Sequence, residues 1–296
     1  MHPLPPALPD ARRFEFVGGG HINCYVGGQG PPLLLVHSIN AAASAAEMAP
    51  IFEGMRSTRT IFAIDLPGYG FSERSDRPYT PRLMTDALHA LNAELRQRGA
   101  LAANQPLDAV ALSLSTEFLA RAAVERPDHW GRLALISPTG LDGRTPRRAA
   151  AGSTRAVPWL HRLLSNPRWS QGLFNTLTRP GVIHYFLRRT FGSDNVDDGL
   201  WRYAVATARQ PGARFAPLYF LSASLFSADI HTLYEALQQP VWVSHGVRGD
   251  FTDYRFRRLV DQRDNWRFTA FQAGAMPYFE QPTQFMAELG VFLSAP

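Results

Sequence analysis

The 296-residue sequence predicts an α/β protein built on a mostly parallel sheet with helices on both faces, and three observations carry that prediction. Continuous apolar runs at residues 33–36, 60–64 and 133–136 have the character of strands buried on both faces. Helical periodicity separates them, most clearly over residues 80–98. Between residues 108 and 120, an apolar run meets Ser113 and turns at once into a helical pattern with Phe118, Leu119 and Ala122 on one face.

Taken in order, residues 1–11 are proline-rich and expected to be extended or mobile. Alternating residues 13–17, the turn Gly18-Gly19-Gly20 and residues 21–26 read as an antiparallel hairpin. The first buried strand, 33–36, ends at His37-Ser38-Ile39-Asn40, and a helix through Met48, Ile51, Phe52 and Met55 leads to the strand at 60–64. The long helix at 80–98, the strand before Ser113 and the strand at 133–136 continue the alternation. From residue 141 to 236 the pattern is helical, with many aromatic residues and no strong strand. Sheet pattern resumes at 240–246 and 266–271 around a helix near 254–261, and a helix over 283–293 closes the chain. The expected division is a core of residues 1–140 and 237–296 with a helical insertion at 141–236.

Composition excludes several kinds of chemistry. All thirty basic residues are arginine, so neither a Schiff-base lysine nor a phosphate-loop lysine is available. The lone cysteine, Cys24, permits no internal disulfide, and no spaced Cys/His cluster implies a metal. No nucleotide or flavin motif is present, and the glycines at 18–20 join two strands instead of opening a helix, so no cofactor is expected. No apolar run reaches the length of a membrane span, and the first residues lack the order of a signal peptide, which predicts a cytoplasmic protein. Residues 141–235 carry twelve arginines against six acids, whereas the rest of the chain is nearly neutral. No basic run is interleaved with aromatics as in nucleic-acid modules, so the excess reads first as a solvated surface.

The stretch around Ser113 carries chemistry. A serine forced into a tight strand-to-helix turn has its hydroxyl lifted above the sheet, and the next N–H, that of Leu114, is aimed at a developing oxyanion. Such a turn demands small residues two before and two after, met here by Ala111 and Ser115. Ser115 is a rival nucleophile, but its outer neighbour would be the large Glu117. A serine that merely caps a helix is the plainer alternative.

With these residues on the page, the chain resembles the α/β-hydrolase family, in its branch with a helical cap, over about residues 13–294. His37-Ser38-Ile39 is similar to the family's His-Gly oxyanion loop with serine in place of glycine, and Asp65-Leu66-Pro67-Gly68-Tyr69-Gly70-Phe71-Ser72 to a structural turn of the family. Ser113 falls at the nucleophile position, and Asp250 falls in the loop where the family places its acid, ahead of Asp253 and Asp142. The resemblance implies Ser113 as nucleophile, Asp250 as acid, and the N–H groups of Ile39 and Leu114 as the oxyanion hole. Ser38, Trp159 and Met276 are expected to border the substrate.

The resemblance fails at the base. Where the family has Gly-His, this chain reads Gly274-Ala275-Met276, and alanine accepts no proton. Loss of one triad member costs on the order of a million-fold, so this chain is expected to be close to inactive. Intact flanking motifs point to an engineered His-to-Ala exchange, and a natural ligand-binding pseudoenzyme is the alternative. His37, His161, His184 and His245 are weaker candidates for a substitute base. The expected activity is serine-dependent cleavage of an apolar acyl ester or thioester, with amide or carbon–carbon cleavage and acyl transfer also open. The arginine excess would suit a small acidic or carrier-linked substrate.

Overall fold

The computed structural model describes residues 3–294. Its centre is one eight-stranded sheet in the order β1-β2-β4-β3-β5-β6-β7-β8. β1 (Arg12–Val17) and β2 (His21–Gly28) form the hairpin, and β2 runs antiparallel to β4 (Thr60–Ile64). Beyond β4 the sheet is parallel through β3 (Pro32–Val36), β5 (Leu107–Leu112), β6 (Trp130–Ile136), β7 (Val241–Gly246) and β8 (Trp266–Phe271). From β3 the chain moves outward to β4 and then returns to the other side as β5. That reversal leaves a crevice above the carboxyl ends of β3 and β5, which is where His37, Ser38 and Ser113 emerge.

The helices follow from sequence periodicity. α1 (Ala49–Met55), α2 (Pro81–Gln97) and α3 (Ser115–Glu125) belong to the first half, and α4 (Pro158–Leu164), α5 (Ser170–Leu177), α6 (Pro180–Phe191), α7 (Asp198–Ala208), α8 (Phe215–Leu221) and α9 (Ile230–Ala236) lie between β6 and β7. α10 (Pro277–Glu280) and α11 (Pro282–Ser294) end the chain. α2 begins where Thr80 accepts the Leu83 N–H on its hydroxyl and Pro81 presets the first turn. It buries Met84, Leu88, Leu91 and Leu95, spaced three or four apart.

Alternation along the strands builds two cores. Leu34 and Val36 point to the face covered by α2 and α3, and Leu33 and Leu35 to the face covered by α1 and α11. A third, smaller cluster of Phe174, Ile183, Ala204 and Ala208 joins α5, α6 and α7. Among the described residues no helix is long and apolar enough to cross a membrane.

Two expectations are corrected. Residues 1 and 2 lie outside the described part, but the rest of the proline-rich start is pinned. Leu8 is buried, Ala7 N donates to the Tyr25 hydroxyl at 3.0 Å, and the Tyr203 hydroxyl donates to Pro5 O at 2.9 Å. The helix expected near 254–261 is a short 3₁₀ turn, Arg255–Leu259, in which only Phe256 is buried. One anchoring side chain gives the segment no apolar stripe to dock as an α-helix.

Candidate active site

β5 ends at Leu112 and α3 begins at Ser115, so Ser113 must reverse the chain within two residues. It does so at φ +55°, a left-handed conformation that costs a non-glycine residue about 1 kcal/mol or more. Two hydrogen bonds hold the turn, from Ser113 N to Ile136 O at 2.8 Å and from the Thr116 hydroxyl to Ser113 O at 2.6 Å. Ala111 and Ser115 are fully buried beside it, as expected from the crowding. Ser115, the rival nucleophile, donates its hydroxyl to the His37 carbonyl and is inaccessible.

The loop after β3 is held equally firmly. His37 is buried with both ring nitrogens occupied, Nδ1 by Ser38 O at 2.6 Å and Nε2 by the Leu66 N–H at 2.9 Å. It is structural. Asp65 accepts the Asn23 amide, Ala45 N and Phe71 N, which ties the turn of residues 65–72 to the hairpin and the loop. Gly70 is required there, because its φ is +51° and a Cβ would lie 2.0 Å from the Asp65 carboxyl carbon.

A cavity of ≈ 170 Å³ opens at the elbow, lined by Ser113 and Leu114, by Ser38, Ile39, Asn40 and Glu47, by Ala275 and Met276, and by apolar side chains including Leu187, Phe220, Phe226 and Phe251. Ser113, Ile39, Leu114, Ser38, Met276 and position 275 are therefore brought together. Among the described residues no acceptor takes the N–H of Ile39 or Leu114. Both can serve a ligand oxygen in the cavity.

Position 275 is rigid. Its N–H donates to Thr190 O at 2.8 Å and its carbonyl accepts the Ser137 hydroxyl at 2.7 Å. The preceding Gly274 packs so closely on α6 that a Cβ would lie 2.3 Å from Phe191 O.

Two predicted site residues lie elsewhere. Asp250 does not line the Ser113 cavity; it stands half-exposed in a two-bond ion pair with Arg189 of α6, Nε to Oδ2 at 2.5 Å and Nη2 to Oδ1 at 2.9 Å. A guanidinium presents a planar fork that fits a carboxylate, and residue 189 on α6 puts one in reach. Trp159 is 65% exposed on α4 and lines no part of the cavity. It is the opening of a short helix that buries none of its residues.

No histidine among the described residues lines the cavity. His161 packs at a tilt against Tyr219, His184 meets the edge of Trp201, and His245 stacks on Tyr254 with Nδ1 on Gly246 O. Burial lowers the pKa of His161 and of His245, which keeps these rings neutral packing elements.

The fold has counterparts. The family model described as the alpha/beta hydrolase family matches residues 33–289. The chain belongs to the alpha/beta hydrolase family. It is 28% identical over 139 residues to a 2-hydroxymuconate semialdehyde hydrolase of Pseudomonas putida, covering 46% of this chain and 47% of that one. It is 30% identical over 112 residues to a pimeloyl-[acyl-carrier protein] methyl ester esterase of Xylella fastidiosa strain 9a5c, covering 38% of each. These matches span less than half the length of either relative. Among solved structures, a serine hydrolase involved in carbazole degradation superposes with TM-score 0.74 over 97% of this chain and 100% of that one at 15% identity. The carboxylesterase CesB of Bacillus subtilis gives 0.70 over 97% and 93% at 18% identity. At such identities the likeness shows the fold.

This alpha/beta hydrolase also holds acidic residues near the site that sequence reading passed over. Glu47 is 6% exposed and its carboxylate accepts Ser38 N at 2.7 Å, the Ser38 hydroxyl at 3.0 Å and the Asn40 amide at 2.8 Å. The available signal was one acid inside the apolar, alanine-rich run 41–49. Glu117 in α3 is buried, accepting the Thr139 hydroxyl at 2.6 Å and Ser227 N at 2.7 Å, and burial pushes its carboxyl up to about 7.

A second cavity of ≈ 380 Å³ shares Ser137, Thr139, Phe226 and Phe251 with the first. Its three carboxylates are matched by arginines, Asp142 by Arg147, Asp250 by Arg189 and Asp253 by Arg255. Arg155, over the ring of Phe226, makes no close ion pair among the described residues, and Asp142 and Glu117 attract it at longer range. Among the described residues no group of three or more His, Cys, Asp or Glu side chains could hold a metal.

Proposed function

We propose that the chain is a serine hydrolase of short acyl esters, with Ser113 as nucleophile and the N–H groups of Ile39 and Leu114 as the oxyanion hole. One observation carries the reading: a strained serine at the β5–α3 elbow shares a cavity with two backbone N–H groups that no acceptor among the described residues takes. The apolar walls suit a hydrocarbon acyl group, with Ser38 and Met276 at its border. At ≈ 170 Å³ the cavity is below the range of about 300–1,000 Å³ common for drug-sized ligands, which favours short chains. Ester chemistry is also what one relative and one structural neighbour are named for.

The adjoining cavity supports a second, acidic substituent. Arg155 lines that cavity outside its three close ion pairs, so a carboxylate or carrier phosphate reaching from the Ser113 cavity would meet it.

The Ser113 cavity has Ala275 where the family has its base, and Asp250 is engaged by Arg189 instead of a histidine. The same two residues favour a ligand-binding role as the second reading. Intact-mass analysis after exposure to a p-nitrophenyl ester and to an organophosphonate separates the two. Covalent modification of Ser113, absent in Ser113→Ala, is expected of the hydrolase; reversible binding with no adduct would support the binding protein.

A further inference from the structure

Among the described residues lining the cavity at the elbow, Glu47 is the one ionisable side chain, and it shares that cavity with Ser113. Histidine is absent from its described lining, and Asp250 is occupied by Arg189. Glu47 comes from the 3₁₀ turn Ala45–Met48, which is itself capped by Ser44 and buried throughout. Three donors fix its carboxylate, all from the loop that also presents the Ile39 N–H. Two of those bonds involve Ser38, the residue that stands where the family usually has glycine, so the serine and the acid form one unit. A carboxylate has about four acceptor positions, and three donors leave one unused.

We propose that Glu47 is the general base for Ser113 in this chain, acting directly or through one water, in place of the histidine that position 275 lacks. This rests on Ser113 being the nucleophile. Glu47 takes the hydroxyl proton as Ser113 Oγ bonds to the acyl carbon, and the carbonyl electron pair moves onto the oxygen held by Ile39 and Leu114. When that intermediate collapses, the carbon–oxygen bond to the leaving alcohol breaks and the alcohol departs with the proton from Glu47. Water then attacks the acyl-serine, gives its proton to Glu47, and the proton returns to Ser113 Oγ as the carboxylic acid leaves.

The charge balance favours the arrangement. Negative charge passes from Glu47 to the oxyanion, so the net charge of the cavity stays constant through the step and no new ion pair has to be made in an apolar space. A carboxylate is a weaker base than imidazole, so turnover is slow. The binding of Glu47 to Ser38 and Asn40 also gives it a part in holding the loop, and a test has to separate that from proton transfer.

The test is a cycle of four proteins, the chain itself, Glu47→Gln, Ala275→His and the double variant, with Ser113→Ala as blank. Release of p-nitrophenol from p-nitrophenyl acetate and butyrate is followed, and thermal melts check that each variant is folded. Glu47→Gln keeps the shape and one acceptor oxygen. We expect it to lower the Ser113-dependent rate of the chain at least tenfold, but the rate of Ala275→His only about threefold, because imidazole then carries the proton. Glu47→Asp, which retains the charge, should keep more activity than Glu47→Gln. Equal fractional losses in both backgrounds, or no Ser113-dependent rate in the chain itself, would overturn the proposal. Absence of Ser113-dependent rate in Ala275→His as well would instead overturn the hydrolase reading on which it rests.

Discussion

Arg189 holds both oxygens of Asp250, with Nε on Oδ2 at 2.5 Å and Nη2 on Oδ1 at 2.9 Å. The pair links α6 to the loop after β7, and Asp250 lines the adjoining cavity instead of the Ser113 cavity. A histidine introduced at 275 would therefore lack the carboxylate that sets its tautomer, a deficit worth up to about four orders of magnitude in a serine protease. Removing Arg189 as well should release Asp250. Ala275→His/Arg189→Met is expected to exceed Ala275→His in kcat by tenfold or more, and adding Asp250→Asn should cancel the gain. Equal kcat values with and without Arg189 would show that Asp250 cannot reach position 275.

Glu117 makes stability depend on pH. Its carboxyl is raised from an ordinary value of 4.5 to about 7, so between those limits the folded chain holds a proton that the unfolded chain has released. The resulting stabilisation is complete below pH 4.5, declines as pH rises, and is gone above 7, a change of about 3 kcal/mol at most. Urea midpoints measured from pH 5 to 8 should fall in the parent and stay flatter in Glu117→Gln. Parallel curves would refute the assignment.

Arg121 and Asp229 form a buried pair at 2.7 Å that joins α3 to the segment before α9, and Asp229 also accepts Gly152 N. Asp229→Ala strands a guanidinium in the interior and should cost about 3–5 kcal/mol. Urea denaturation measures it, and a loss under about 1 kcal/mol would mean that water reaches Arg121.

The elbow itself stores strain. Glycine adopts φ +55° without penalty, so Ser113→Gly should raise stability by up to about 1 kcal/mol while abolishing any acyl transfer. A destabilised Ser113→Gly would place the strain elsewhere.

Much of this molecule is legible in its sequence because the physics is local. A strand buried on both faces must be apolar throughout, as residues 33–36 are, and a serine wedged between such a strand and a helix must turn sharply. The Ser113 turn and the neighbouring Leu114 N–H follow from that junction, whereas Ile39, Ala275 and Met276 are singled out through the family resemblance, and the structure places all of them on one cavity. What could not be read was long-range pairing. Arg189 and Asp250 are 61 residues apart, and nothing near either residue announces the other. Trp159 resembles a pocket wall by type alone, yet its helix faces solvent. Glu47 was passed over because its partners, Ser38 and Asn40, meet it only once the loop folds back.

The most direct test of the central claim is hydrolysis of a panel of acyl esters, acetate to decanoate, by this chain and by Ala275→His, each with Ser113→Ala as control. Slow Ser113-dependent turnover in the chain, a gain of tenfold or more on restoring histidine, and a preference for the shorter esters are the predicted result. No Ser113-dependent turnover in a folded Ala275→His across the whole panel would contradict the account.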